Sequence, residues 1–353
     1  MIIKFKLVSG EKMKTLSENK IKIGKEELTV REWNFKDDLQ KVSSLLELVF
    51  ENELQSKGLS IQSFFNEIRT LMPFLKFIGI FSSNFQHSFD GFVVENHNKE
   101  IIASVNVGYA LSHWEIAMVA THPNYRRKGL ARLLVTKAIE HAKNLGAEMC
   151  ALEVLNVNEP AYNLYKSLNF IHYDSVTRKK LEPENLDEIP FVELPEGYIL
   201  SETKRNKKTN QSRYELDLRV TPEDVQEFHL VNRKRYHRPL LIRMIRPIAR
   251  IFVKIESKSW TVYRKDKLVA TLSSRVSNKE GSPHRIDLMI DLDHREKLVE
   301  PLLAYCLDYI KKNKINEQNT IIEMRTSDEK YKKISKKYNF TEIETMHLLG
   351  LKL

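Results

Sequence analysis

The chain repeats itself, and the repeat constrains the fold more than any other feature. At an offset of 169 residues, Arg126-Arg-Lys-Gly falls on Arg295-Glu-Lys-Leu and Leu130-Ala-Arg-Leu-Leu falls on Val299-Glu-Pro-Leu-Leu. At an offset of 170, Tyr165-Lys-Ser-Leu-Asn-Phe falls on Ser335-Lys-Lys-Tyr-Asn-Phe, with Ala151-Leu-Glu-Val opposite Ile321-Ile-Glu-Met. One single-residue gap carries the match over about 70 positions, so two related lobes are expected in place of one fold of double size. The 353 residues agree, being roughly twice a usual domain. Between Leu181 and Leu200 stand six acidic residues (Glu182, Glu184, Asp187, Glu188, Glu193, Glu196) and three prolines, with no cation. That composition marks a connection. The expected division is an N-terminal extension over 1–26, a first domain over 27–181, an acidic linker over 182–200 and a second domain over 201–353.

Charge separates the halves. Residues 1–200 hold 24 Lys and Arg against 26 Asp and Glu, whereas residues 201–353 hold 33 against 21. The basic peak runs from Arg233 to Arg250, with seven cations and no acidic residue. Leu240, Leu241, Ile245, Ile248 and Ile251 alternate with them as the inward side of an amphipathic helix. The stretch reads foremost as a solvated helix face, with an anionic partner for the basic C-terminal lobe, a phosphate-bearing molecule or an anionic surface, as the alternative. No helix-turn-helix, zinc or aromatic RNA-binding signature accompanies it. Two cysteines, Cys150 and Cys306, supply neither a disulfide framework nor a multi-cysteine metal site. The apolar stretch Leu71 to Phe81 carries Lys76 and is far short of the ~20 residues of a membrane helix, so no transmembrane span is expected. No signal-peptide pattern opens the chain, which makes the cytoplasm the expected location.

Periodicity supplies the elements. Residues 27–32 alternate as a strand, and Val42, Leu45, Leu46 and Val49 keep helical spacing after Asp37-Asp38. Residues 60–81 read as helical at first. Gly91 to Glu95, Glu100 to Val107 and Trp114 to Ala120 read as an antiparallel meander. Gly129 to Leu145 is a helix ending at Gly146, Ala151 to Leu155 a strand, and Pro160 to Leu168 a short helix. Beyond the linker, Tyr214 to Arg219 reads as a strand, followed by the basic helix and by strands at Trp260 to Tyr263 and Leu268 to Leu272. The fold class is α/β in the α+β sense: a mixed, mostly antiparallel central sheet flanked by helices.

The chemically informative segment is Met118-Val-Ala-Thr-His-Pro-Asn-Tyr-Arg-Arg-Lys-Gly-Leu-Ala. A strand ends at Thr121, a turn follows and a helix starts at Gly129, so the main-chain N–H groups from about Arg127 to Ala131 form an anion cradle. Gly129 and Ala131 lack bulk where a phosphate must approach, and Arg126, Arg127 and Lys128 add charge. The arrangement suits a pyrophosphate. Asn158-Glu-Pro-Ala-Tyr-Asn-Leu-Tyr165-Lys-Ser-Leu-Asn-Phe170 follows on the next strand–helix unit.

These two motifs, at this separation, are similar to those of the acetyl-coenzyme A-dependent N-acetyltransferases of the GNAT superfamily, over about residues 27–180. One departure is Asn169, where the family usually has Gly before Phe; Asn also tolerates the left-handed conformation. The resemblance implies two tandem GNAT-like lobes, with acetyl-CoA as cosubstrate, no metal, and direct attack by an amine. It implies cofactor contacts from Val119, Thr121, Arg126, Arg127, Lys128, Gly129, Leu130, Ala131, Asn158 and Tyr165. Within it the Val119 main-chain N–H matches the donor to the thioester oxygen. Glu115 matches a base used by some members, with His113 as a substitute, and Tyr165 matches the acid facing the departing thiolate. Asn158 either holds the cofactor arm or caps its helix. The acceptor is an amine-bearing small molecule, peptide N-terminus or protein lysine. The competing class is a non-catalytic acyl-CoA-binding regulatory module whose basic C-terminal lobe binds a macromolecule.

In the second lobe Leu298 and Glu300 replace Gly129 and Ala131, and Ser335 replaces Tyr165. Bulk and negative charge in the cradle should reject an anionic cofactor. A degenerate lobe is expected there.

Overall fold

The computed structural model describes residues 13–17, 19–57, 87, 90–110, 113–228, 231, 236, 255–279 and 281–353. They divide into two compact units, Met1–Glu153 with Asn163–Ile171 and Gly350–Leu353, and Val154–Tyr162 with His172–Leu349.

In the first unit β1 (Met13–Ser17), β2 (Lys20–Ile23), β3 (Glu26–Glu32), β4 (Asp90–Glu95), β5 (Ile101–Ala110) and β6 (His113–Thr121) pair in that order, each antiparallel to the next. The segment read as an N-terminal extension thus contributes β1 and β2. Parallel to β6 lies β7 (Met149–Leu155). Alternation on β4 sends successive side chains to opposite faces. Val93 packs with Leu39, Val42, Leu45 and Leu46 of helix α1 (Phe35–Lys57), whereas the Phe92 ring meets His141 on helix α2 (Leu130–Asn144). The helical spacing of Val42, Leu45 and Leu46 is the cause of the first contact. Arg31 on β3 pins the start of α1, reaching Asp38 at 2.6 Å and Glu95 on β4 at 2.7 Å. Pairing with Asp38 and then Glu95 holds the Arg31 guanidinium more firmly protonated than usual, against the opposing effect of burial.

The second unit repeats this grammar. Its strands are β8 (Ile171–Leu181), β9 (Ile199–Glu202), β10 (Ile255–Arg264), β11 (Lys267–Ser277), β12 (His284–Ile290), β13 (Thr320–Arg325) and β14 (Thr341–Lys352), ordered β14-β8-β13-β12-β11-β10-β9. Between β7 and β8 runs α3 (Glu159–Lys166); α4 (Lys207–Val220), α5 (Arg295–Asn313) and α6 (Glu329–Lys337) follow. Trp260, Leu272, Leu302, Ile310, Met324 and Phe340 are among its core. The acidic connection is tied to this core as well: Leu181 and Leu186 are buried in it, and Lys311 donates to the Asp187 carbonyl.

The repeat is visible in backbone detail. Asn169 and Asn339 both adopt the left-handed conformation, at φ 67° and 58°. The following residues, Phe170 and Phe340, bond back to the carbonyls of Tyr165 and Ser335 at 3.1 and 2.9 Å.

One expectation is corrected: Tyr214 to Arg219 is part of α4 and not a strand. The alternation of Tyr214, Leu216 and Leu218 is too short to outweigh what surrounds it. Asn206 accepts from the Thr209 N–H at 2.8 Å as an N-cap, and the buried residues Thr209, Leu216 and Asp217 share one helical face. The helix read over 60–81 lies outside the described residues, as does the basic stretch 233–250 except Tyr236.

Candidate active site

The site is assembled where β6 and its neighbours part. Parallel pairing with β7 covers only Trp114↔Cys150 and Glu115↔Ala151. On the other edge, β5 pairs Ala117 with Asn106 and Ala120 with Ser104, which leaves Met118 and Val119 opposite Val105 alone. This is a β-bulge, and Met118 takes φ 52° within it. A left-handed methionine costs about 1–2 kcal/mol, so the surroundings must hold it. Ser104 donates its hydroxyl to the Met118 carbonyl at 3.2 Å. Val119 therefore belongs to no registered pair on either side, which is the condition for its main-chain N–H to serve a ligand.

On an uninterrupted strand Glu115 and Val119, four residues apart, would share a face. An extra residue shifts the parity, and the register puts Glu115 with Ala117 and Ala120. Glu115 stands at the last β6–β7 pair and makes no hydrogen bond or ion pair among the described residues. Burial raises its pKa above the usual carboxylate value.

Past β6 the chain makes a short 3-10 turn, Pro123–Tyr125, with the His122 ring accepting from the Asn124 N–H at 3.3 Å. Tyr125 anchors this turn by donating to Glu26 at 2.9 Å. Arg127 and Gly129 are then both left-handed, at φ 62° and 88°, and α2 begins at Leu130. Alternating main-chain conformations of this kind turn successive N–H groups toward one concavity. The helix has no side-chain cap and no acidic residue in its first turn. Its orphan donors carry the positive end of the helix dipole. Arg126, Arg127 and Lys128 form no ion pair among the described residues; Lys128 lies 5.3 Å over the Tyr125 ring. The Thr121 hydroxyl is buried without a partner among the described residues. An uncapped helix start, two left-handed residues, three unpaired cations and an orphaned hydroxyl fit a phosphate-bearing ligand. Leu130 is buried and anchors the helix, so that only its main-chain N–H can face such a ligand.

Tyr165 lies on α3, 5% exposed, against Phe170. Its hydroxyl makes no hydrogen bond among the described residues, and burial pushes its pKa up to about 12. Arg132 on α2 donates to Ser167 just past α3. Asn158 belongs to the second unit and accepts from the Ala161 N–H at 3.2 Å, which makes it a helix cap. His113 begins β6 with its side chain half-buried.

The second unit lacks the two main-chain devices of the first. Pairing of β11 with β12 runs without interruption from Ala270↔Ile290 to Arg275↔Arg285, so there is no bulge. The turn Leu292–His294 leads straight into α5 at Arg295. Residues 295–298, which match 126–129, are the first turn of that helix, and Leu298 is wholly buried. Glu300 pairs with Lys337 at 2.5 Å. Ser335 is engaged by Lys179 at 3.0 Å and itself donates to the Lys332 carbonyl at 2.9 Å.

A polar chain in the second unit escaped sequence reasoning. Tyr162 lies 3.4 Å from His172 Nδ1, His172 Nε2 lies 2.8 Å from Ser175 Oγ, and Ser175 Oγ lies 2.9 Å from His347 Nδ1. One hydroxyl proton satisfies one imidazole, so the other ring must donate. Burial and then the neighbouring His172 hold His347 below the ordinary histidine pKa. His172 and Ser175 line a cleft of about 440 Å³ with Tyr173, Asp174, Thr326 and Ser327. No spacing rule joins residues so far apart in the chain.

Residues 61–170 match the acetyltransferase (GNAT) family. That match covers about a third of the chain and lies within the first lobe. The fold is similar to that of a tandem GNAT protein from the clavulanic acid biosynthesis pathway, with TM-score 0.58 and 13% identity over 92% of this chain and 98% of that one. It is also similar to a GCN5-related N-acetyltransferase from Sphaerobacter thermophilus, with TM-score 0.60 and 13% identity over 96% and 97%. No curated protein matches the sequence.

Proposed function

We propose that the protein is an N-acetyltransferase that moves acetyl from acetyl-CoA to a primary amine in its first lobe. The observation that carries this reading is the bulge at Met118–Val119, one turn upstream of an uncapped, left-handed helix entrance. A thioester needs a fixed donor beside its carbonyl oxygen, and its CoA portion needs an anion cradle. Both lie on one strand–turn–helix.

The amine lone pair attacks the thioester carbon, charge gathers on the oxygen facing the Val119 N–H, and the carbon–sulfur bond breaks as the amide forms. Glu115 takes the amine proton. Its raised pKa suits this task, because a base nearer the operating pH is more effective. Tyr165 faces a different problem. A free thiol has a pKa of ~8.5, well below that of this phenol, so full proton transfer to the thiolate runs uphill. Tyr165 therefore acts chiefly as a hydrogen-bond donor to the departing sulfur. The second lobe, whose β11–β12 pairing has no bulge and whose matching residues 295–298 are helical, contributes acceptor recognition.

Steady-state CoA release with a panel of amines tests the reading. Amine-dependent release supports it. Acetyl-CoA binding with no release for small amines, peptides or lysine-bearing proteins would favour a regulatory acyl-CoA-binding module instead.

A further inference from the structure

At the far end of α2 from the anion cradle stands a second constellation. His141 Nε2 lies 2.8 Å from Asp90 Oδ2, and His87 Nδ1 lies 2.7 Å from the same oxygen. The three donor atoms all fall within 4.8 Å of one another. They come from separate elements: the segment before β4, β4 itself, and α2. His141 is twelve residues beyond Gly129 on the helix, about 18 Å along its axis. The cluster is therefore distinct from the anion cradle, and Trp114, which packs on both of its rings, is the residue before Glu115 on β6.

We propose that His87, Asp90 and His141 bind a zinc ion. Two imidazoles and one carboxylate are a sufficient protein donor set for this cation, with water in the fourth position. Borderline nitrogen ligands favour zinc over magnesium or calcium, which take oxygen. A tetrahedral zinc site has its donors roughly 3.3 Å apart, so each histidine must withdraw from Asp90 by about 0.6 Å and the two imidazole donors, now within 4.8 Å of each other, must come to the same spacing, a side-chain adjustment. Each imidazole must present a lone pair where it now meets the carboxylate. A neutral ring does so by carrying its proton on the other nitrogen, with no net proton lost.

The surroundings hold the donors ready. Trp114 packs on both rings, with centroids 6.0 Å from His87 and 6.4 Å from His141, and the Phe92 edge meets His141 at 5.7 Å. Asn106 donates to the Asp90 carbonyl at 2.8 Å, and Tyr109 donates its main-chain N–H to the His87 carbonyl. Each side chain is partly accessible, which gives an ion a path in: 36% for His87, 26% for Asp90 and 24% for His141. A bound ion would clamp the C-terminal half of α2 to the start of β4.

The test is calorimetric titration of chelator-treated, full-length protein with zinc chloride, and with magnesium chloride in parallel. One zinc per chain is expected, magnesium should give no binding, and the melting temperature should rise with zinc. His87→Gln and Asp90→Asn should each weaken zinc binding by about 100-fold or more, since even outer-shell changes cost 10–100-fold. Circular dichroism identifies the folded variant to use, and His87→Gln, ahead of β4, keeps the test open if Asp90→Asn does not fold. Absence of zinc binding by wild-type protein overturns the proposal, as does one equivalent bound with unchanged affinity by folded His87→Gln.

Discussion

The Ser104 hydroxyl donates to the carbonyl of Met118, the one strand residue of β6 with a left-handed backbone. This single bond ties the bulge to β5 and sets the main-chain direction at Val119. Removing it in Ser104→Ala should cost about 1 kcal/mol in urea unfolding, the usual net worth of such a bond. Turnover should fall more than acetyl-CoA affinity does, because the donor to the developing oxyanion loses its alignment. A loss of stability with unchanged kcat would separate the bulge from catalysis.

Glu115 should show the opposing demands of function and stability. Its folded pKa is raised by burial, so the folded state binds more protons than the unfolded state between the two values. Stability is thus lost as pH rises from the ordinary carboxylate value of ~4.3 through the folded value. Glu115→Gln removes this loss: its melting temperature should exceed that of the wild type at pH 7, and the gain should vanish near pH 4. Turnover of the same variant should be impaired most at lower pH, where the amine is protonated, and should recover toward the amine's own pKa. A pH–rate profile of unchanged shape and height would remove Glu115 from the mechanism and bring His113 forward.

Tyr165→Phe deletes a hydroxyl with no partner among the described residues, so folding should be little affected. A hydrogen bond to a charged group contributes about 1.5–3 kcal/mol, and kcat should fall about 10–100-fold with the KM for acetyl-CoA nearly constant. Acyl donors with a less basic, more easily expelled thiol should suffer less. Equal losses across such donors would contradict a role at the sulfur.

What could be read in advance was local. The turn from Thr121 to Ala131 and the helix from Asn158 to Phe170 declare themselves because glycine, cations and helical spacing are adjacent in the chain. The left-handed Asn169 was legible for the same reason. The bulge was not, since an extra residue in a strand of β-formers leaves no compositional mark. The second lobe was half legible. Leu298 and Glu300 announced a poorer cradle, but the conversion of residues 295–298 into helix follows from the lack of any glycine there to end the turn and delay the helix. Tyr214 to Arg219 misled because three alternating side chains imitate a strand within a helix capped eight residues earlier, at Asn206. His141 joins His87 and Asp90 only through packing of α2 on β4, which no spacing encodes.

The central claim is that one lobe, and one only, carries acetyl-CoA on the main chain of residues 127–131. Calorimetric titration of the full chain with acetyl-CoA tests it most directly, using wild type, Gly129→Glu and Ala131→Glu. The second variant places its carboxylate at an ordinary helical position and so avoids the strain of a left-handed glutamate. The expected endpoint is one cofactor per chain, with binding abolished in both folded variants. An endpoint of two per chain, or unchanged affinity in a folded Ala131→Glu protein, would contradict the account.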